Sequence, residues 1–324
     1  KLMLRRASSD AKYYLKDVLS ESMSMDYLYK NSILAGYAEY EGKWGNAGAK
    51  GGLRYEHTWQ DVEYRKGNGE NFSKNYGSLV PTASVSYNLS QSSNLGLTYN
   101  MRISRPGISY LNPYVNRTDP TSISYGNTNL DVEKSHNVSL VYNAFTPRFM
   151  MNLNLRYSYT GNGIEQYTFY DDHVLNTTYG NTAKRSQTGL NAYVNWLVVK
   201  NTRLFINGGV SYTDLRSDEL SARNSGWHAN VMAGIQQTLP WDLKLGGYLM
   251  TSTKSYTLQG WSGGFNLLTA NISKSLLNDK LTLSLMGMTG LSKGGNLKIE
   301  SMSSSNNFIN HQAIKVPLYG FSFS

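Results

Sequence analysis

Histidines and paired carboxylates are the side chains of this chain best suited to proton transfer or metal binding. Their spacing fits neither task, because no two histidines are spaced to share one face of a helix and cysteine is absent. The adjacent carboxylates Asp171-Asp172 and Asp218-Glu219 could bind a divalent cation, but charges in polar stretches are more commonly only solvated. We therefore expect no catalytic residue, no metal site and no cofactor, and the sequence does not predict an enzyme. The histidines are His57, His136, His173, His228 and His311.

Aromatic and cationic side chains suited to binding a solute are concentrated in residues 102–133, RISRPGISYLNPYVNRTDPTSISYGNTNLDVE. Tyrosine rings and guanidinium groups can contact glycans, metal chelates or peptides. A second interpretation is open, in which the segment is a rigid connection that contacts no ligand. The candidate contact residues are Arg102, Arg105, Tyr110, Tyr114, Arg117 and Tyr125.

Strands with one apolar face must position this segment. Residues 151–160 read MNLNLRYSYT, in which apolar and aromatic residues alternate with polar ones. A period of two predicts a strand with one apolar face, and about ten such residues can cross the hydrocarbon core of a bilayer. The pattern recurs at 83–89, 95–104 and 190–196. A transmembrane barrel directs such faces at lipid and leaves the polar faces on its lumen, whereas a soluble sandwich directs them at a shared core.

Alternating lengths of the connections favour the barrel. Short turns join neighbouring apolar runs, and longer polar stretches lie between them, as in barrels with short periplasmic turns and long extracellular loops. About fourteen strands are expected, in one domain covering residues 1–324. The short turns are Gly45-Asn46, Gln91-Ser92, Thr146-Pro147-Arg148, Lys200-Asn201, Pro240-Trp241 and Asn278-Asp279. The predicted long loops are 17–27, 61–76, 105–134, 161–183, 214–226, 253–262 and 293–312.

Composition agrees with a barrel and argues against nucleic-acid binding. The chain has 25 Tyr, a formal net charge of +9 and no apolar stretch of the length of a membrane helix. The basic residues are scattered singly rather than clustered on one face, so a basic lumen or contact with anionic outer-leaflet lipid explains the charge better. The opening residues KLMLRRASSD lack the features of a signal peptide, which indicates either processing or a fragment.

The 102–133 segment also carries the motif of a known family. It resembles the outer-membrane β-barrel family allied to TonB-dependent receptors, whose members share an Arg-Ile-x-Arg-Pro strand end, a Leu-Asn-Pro element, an Asp-Pro step and a Gly-Asn-Pro-x-Leu-x-Pro-Glu run. Thr128 and Val132 stand where the family usually has proline, and GLRYEHT at 52–58 is similar to a further family strand. The matching residues are Arg102, Ile103, Arg105, Pro106, Leu111, Asn112, Pro113, Asp119, Pro120, Gly126, Asn127, Leu130 and Glu133.

The resemblance implies an integral protein of the Gram-negative outer membrane. Such receptors close about 22 strands around an N-terminal plug and import scarce, bulky nutrients such as a metal chelate, glycan or peptide. This chain would be the C-terminal portion of the barrel, without the plug. The implied partners are outer-membrane lipid, a TonB-type energising complex acting through the missing N-terminal region, and a surface lipoprotein. A non-transporting scaffold or complex subunit, or a passive porin, is the alternative function.

Overall fold

A computed structural model describes the backbone of residues 2–11, 14–15, 18–19, 25–66, 70–277, 280–291, 296–305, 308–317 and 319–323. The side chains described are those of residues 26–66, 70–277 and 280–291, with Met3, Glu300 and Met302. The turn predicted at Asn278-Asp279 and the side chain of His311 lie outside these residues. No helix within them is both long and apolar enough to cross a membrane.

The described chain is almost entirely β-strand, as the alternating pattern predicts. One four-residue helix, α1 (Ile108–Leu111), and one 3-10 turn (Pro240–Asp242) interrupt it. The strands are β1 (Leu2–Ala11), β2 (Tyr14–Leu15), β3 (Val18–Leu19), β4 (Met25–Trp44), β5 (Ala47–Lys66), β6 (Phe72–Ser90), β7 (Ser93–Ser104), β8 (Asn116–Asp119), β9 (Ser122–Ser124), β10 (Glu133–Phe145), β11 (Phe149–Asp171), β12 (Val174–Val199), β13 (Thr202–Ser217), β14 (Ala222–Thr238), β15 (Leu243–Ser252), β16 (Ser255–Thr257), β17 (Gly260–Ser262), β18 (Asn266–Leu276), β19 (Leu281–Gly290), β20 (Asn296–Ser305), β21 (Phe308–Pro317) and β22 (Tyr319–Phe323).

Fourteen of these strands form one antiparallel meander, which confirms the predicted number. Along the sheet the order is β1, β4, β5, β6, β7, β10, β11, β12, β13, β14, β15, β18, β19 and β22. The short strand β9 pairs with β12 and with β8, while β16, β17, β20 and β21 form a separate four-stranded sheet. Sequential strands are therefore neighbours in space throughout the meander.

The register of the sheet collects the apolar residues on one face. Leu97, Leu140, Leu155, Leu190 and Val210 are paired in turn from β7 to β13 and form one row across the sheet. Each is between 41% and 51% exposed, so they are not packed in a protein core. A contiguous exposed apolar surface of this kind requires a nonaqueous neighbour, which for a barrel is lipid. We call this the outer face.

The opposite, inner face is polar and hydrogen-bonded across strands. Asn143 donates to Asn94 on β7 at 2.9 Å and accepts from Asn152 on β11. Nearer the other end of the strands, Arg156 donates to the buried Asn137. The alternation of polar and apolar residues predicted at 151–160 is thus confirmed, with the polar residues on the side where a barrel has its lumen.

The predicted short turns are confirmed among the described residues, but several predicted long loops are wrong. Gly45 adopts a φ of +57° in the turn before β5, a conformation that glycine favours. In contrast, stretch 161–183 is a paired hairpin of β11 and β12, closed at Asp172 and His173 with φ of 44° and 67°. Similarly, β5 and β6 leave only residues 67–71 between them, rather than 61–76. Backbone pairing continues beyond the membrane, where both faces meet water or protein and one-sided alternation ends.

Candidate functional site

Residues 105–132, which connect β7 to β10, fold into a compact unit that we call the inner segment. Its first and second halves close on each other through backbone hydrogen bonds, from Gly126 N–H to the Asn112 carbonyl and from Asn127 N–H to the Tyr110 carbonyl, both 2.7 Å. A β-carbon on Gly126 would lie 2.6 Å from backbone atoms of Asn112 and Tyr110. Glycine is required here because the two stretches of backbone approach so closely.

The inner segment has its own apolar centre. Pro106, Leu111 and Leu130 are among the largest fully buried side chains of the described chain, and Val132 is 2% exposed. Ile123 on β9 is also buried, with 9% exposure. Burial of these side chains provides the driving force that orders an otherwise polar connection.

An ion cluster attaches the start of the inner segment to β5. Arg105 forms an ion pair with Glu56 and donates from Nε to Thr58 Oγ1 at 2.7 Å. Arg54 also pairs with Glu56, at 2.5 Å. Glu56, Thr58 and Gln60 alternate along the inner face of β5, and Gln60 donates to Tyr29 at 2.9 Å. The Glu56 side chain is 11% exposed, so its charge is balanced by two guanidinium groups rather than by water.

Two tyrosines attach the segment to the strand ends above the apolar band. Tyr76 on β6 donates its hydroxyl to the Leu130 carbonyl at 3.2 Å, and Tyr64 on β5 donates to Asn112 Oδ1. Burial raises the pKa of Tyr76 to about 12 and also raises the pKa of Tyr64. Both hydroxyls therefore remain protonated donors at physiological pH.

The far side of the segment is attached to β12. Residues of β9 pair in parallel with Leu175, Asn176 and Thr177. The Asn127 side chain donates to the Tyr179 carbonyl at 2.8 Å, and Asn181 exchanges hydrogen bonds of 2.7 and 3.1 Å with the backbone of Asp131. Because β7, β10 and β11 lie between β6 and β12 in the sheet, the segment bridges the inner side of these strands at the end away from the short turns.

The structure separates the candidate contact residues into two groups. Arg105 forms its ion pair with Glu56, and the N–H of Tyr125 donates a hydrogen bond to the Thr177 carbonyl at 3.1 Å. Tyr114 is half-buried, with its N–H bonded to Asn112 Oδ1 at 3.0 Å. These three hold or form part of the folded segment.

The remaining candidates present their side chains to solvent. Arg102 is exposed at an inward-facing position near the end of β7, and Arg117 is exposed on β8. Tyr110 is 39% exposed, with its ring centroid 4.7 Å from that of Tyr179. Arg102, Tyr110 and Arg117 are therefore the candidate contact residues whose side chains are exposed.

The partners of the segment on the surrounding strands are not identified by the sequence patterns. Glu56 is a carboxylate at an inward-facing position of an otherwise well-patterned strand, and its type and position indicate a need for a cationic partner. Tyr179 and Asn181 carry no such signal, because residues 161–183 have the polar composition of a loop.

The described part of the chain contains no group of three His, Cys, Asp or Glu side chains that could hold a metal ion. Three histidines instead have ordinary hydrogen-bond partners. His136 Nδ1 lies 2.9 Å from the Tyr99 hydroxyl, His57 Nδ1 lies 3.3 Å from the Tyr55 hydroxyl, and His228 Nδ1 lies 3.1 Å from the Lys254 carbonyl. The arrangement is that of a β-sheet with a folded segment on its inner face.

Solved structures with the same architecture include an uptake receptor and two transporters. The ferric yersiniabactin uptake receptor FyuA from Yersinia pestis is 14% identical, with a TM-score of 0.68 over 100% of this chain and 50% of the receptor. The copper transporter OprC is 10% identical, with a TM-score of 0.69 over 99% of this chain and 54% of the transporter. The ferric citrate transporter FecA in its unliganded form is 14% identical, with a TM-score of 0.65 over 94% and 46%.

At these identities the likeness concerns the fold, and the chain spans about half the length of the structures it matches. No curated protein matches the chain by sequence. The model of the outer membrane protein beta-barrel family matches residues 1–316, nearly the whole chain. With its antiparallel meander, apolar outer face and polar inner face, the chain belongs to the outer membrane protein beta-barrel family and is an integral protein of the outer membrane.

Proposed function

We propose that the full-length protein is a TonB-dependent receptor that imports a scarce or bulky solute, such as a metal chelate, glycan or peptide. The observation that carries the proposal is the inner segment, which is folded against the inner face where solute arrives from outside. A passive pore has no need of so extensively fixed a lining, whereas a receptor must hold its contact residues in place.

The proposal extends to the rest of the protein. Residues 1–324 would form one domain, the C-terminal portion of a barrel of about 22 strands, with a plug and an energising segment supplied upstream. The structural neighbours are an uptake receptor and two transporters, which supports this class of function, and their different cargoes leave the solute open. A TonB-type complex in the inner membrane would supply energy, and a surface lipoprotein could cover the outer opening.

Three exposed side chains would contact the imported solute. Arg102 and Arg117 supply charge to an anionic solute, and Tyr110 supplies an aromatic surface. Arg105 would act only as a positioning residue, because its guanidinium is engaged by Glu56 and Thr58.

Accumulation of labelled solutes by cells producing the full-length protein tests this function. Ferric chelates, copper chelates, oligosaccharides and peptides would be offered to cells with and without their TonB-type complex. We expect accumulation of one class that requires the complex, and a loss of about tenfold or more when Arg102, Tyr110 and Arg117 are all replaced by alanine. Each lost contact is worth roughly 0.5–1.5 kcal/mol, and 1.4 kcal/mol is a factor of ten.

The matched control is Arg148→Ala, which removes an exposed arginine from a short turn at the other end of the sheet. It should leave uptake unchanged. Accumulation that continues without the energising complex would identify a passive pore. No accumulation of any solute class by a correctly assembled protein would favour a scaffold.

A further inference from the structure

Three cations form a row on the outer face, just beyond the apolar band. Lys184 on β12 pairs in register with Arg216 on β13, which pairs with Arg223 on β14. These positions have the same parity as Leu190 and Val210 and therefore lie on the lipid-facing side. We call Lys184, Arg216 and Arg223 the basic row.

The height of the basic row follows from the strand below it. From Leu204 to Tyr212 the outer face of β13 carries apolar or aromatic residues and one glycine, over a length that suits the hydrocarbon core. Tyr212 and Trp227 pair across β13 and β14, with ring centroids 5.3 Å apart. Aromatic residues of this kind mark the membrane interface, and the basic row lies four residues beyond them.

A buried carboxylate orients the two arginines. Asp214 accepts from Arg216 Nε at 2.8 Å and Nη2 at 2.5 Å, and from Arg223 Nε at 3.2 Å. Its side chain is 11% exposed, whereas those of Arg216 and Arg223 are 55% and 64% exposed. The hydrogen bond from Arg216 holds the pKa of Asp214 below its ordinary value, so the carboxylate stays ionised.

The row retains both charge and donors for a ligand. Lys184 is bonded to Asp218 at 2.5 Å, so three cations face two carboxylates and leave an excess of one positive charge. A guanidinium has five N–H donors, and Asp214 engages only a minority of those on the two arginines. Arginines held in this way favour bidentate contact with phosphate.

We propose that the basic row binds the phosphate of an anionic lipid headgroup in the outer leaflet. The row faces lipid rather than lumen, so a transported solute is not its occupant, and the inference is independent of the proposed import. The Tyr212–Trp227 pair marks the membrane interface, so the cations four residues beyond it lie at the height of lipid headgroups rather than of acyl chains. A role confined to joining β12, β13 and β14 by ion pairs is the competing explanation.

Binding of lipid A by the full-length protein in phosphatidylcholine vesicles tests this site. Bisphosphorylated lipid A should bind measurably more tightly than dephosphorylated lipid A, and an excess of inorganic phosphate should not displace it. Replacing both Lys184 and Arg223 with alanine should weaken binding of the phosphorylated lipid roughly thirtyfold, since each surface cation contributes about 1 kcal/mol. Arg203→Ala with Lys244→Ala removes the same two residue types from the inner face and should leave binding unchanged.

Three results would overturn the proposal. Equal binding of phosphorylated and dephosphorylated lipid A by the unaltered protein would remove the role of phosphate, whatever the variants do. Displacement by inorganic phosphate would indicate a simple anion site. Unchanged lipid binding by a correctly assembled Lys184→Ala, Arg223→Ala protein would leave the row with a structural role only.

Discussion

Replacing Leu190 with arginine is expected to lower the free energy of unfolding of the protein in a bilayer by about 2–4 kcal/mol. Leu190 lies in the middle of the apolar row, paired with Leu155 and Val210, and is 43% exposed. An arginine there would place a charge in the hydrocarbon core. This cost is measured by unfolding the full-length protein in vesicles, with the heat-dependent electrophoretic shift as the readout of the folded fraction.

The neighbouring position provides the control on the opposite face. Asn191 is also exposed but faces the inner side, where an arginine remains in water. Asn191→Arg should change the free energy of unfolding by less than about 0.5 kcal/mol. Equal costs at the two positions would mean that the faces of the sheet are wrongly assigned.

Replacing Gly126 with alanine is expected to open the inner segment while the barrel stays folded. The added β-carbon would lie 2.6 Å from backbone atoms of Tyr110 and Asn112, so the hydrogen bonds that join the two halves must lengthen. Overpacking and the lost hydrogen bonds together should cost about 3 kcal/mol of local stability. Hydrogen exchange at Asn127, and tryptic cleavage after the exposed Arg117, would both accelerate.

Gly107 is the matched control within the same segment. A β-carbon there meets only Ser109 Oγ at 3.9 Å, which is ordinary van der Waals contact. Gly107→Ala should therefore leave exchange and cleavage unchanged. Unaltered exchange at Asn127 in the Gly126→Ala protein would show that the segment is not closed as described.

The sequence is sufficient to predict the meander and its two faces, because alternation with a period of two directly indicates a strand with one apolar face. Leu153, Leu155 and Tyr157 alternate with Asn154 and Arg156, and the sheet places the two sets on opposite faces. The sequence also predicts the short turns, since Gly45 and the Asn, Ser and Pro residues of the other turns favour turn conformations. These signals need no knowledge of distant residues.

The outward part of the molecule could not be predicted in the same way. In residues 161–183 the paired strands continue without an apolar face, so apolar and polar residues do not alternate with a period of two there. The inner segment depends on partners 47 to 54 residues away, such as Thr58 for Arg105 and Tyr76 for Leu130. Sequence patterns identify the segment and its six candidate contact residues, but its attachment to three distant strands, β5, β6 and β12, depends on long-range packing.

One face of the meander contacts lipid and the other lines an aqueous lumen, and fluorescence quenching along β13 tests this assignment most directly. Residues 1–324 contain no cysteine, so once any cysteine elsewhere in the full-length protein is replaced, single cysteines can be placed one at a time from position 204 to 212 and labelled with a fluorophore. We predict that brominated lipid quenches labels at even positions such as Ile206 and Val210, and that aqueous iodide quenches those at odd positions such as Asn207 and Ser211. Similar quenching at even and odd positions, or the opposite alternation, would contradict this assignment.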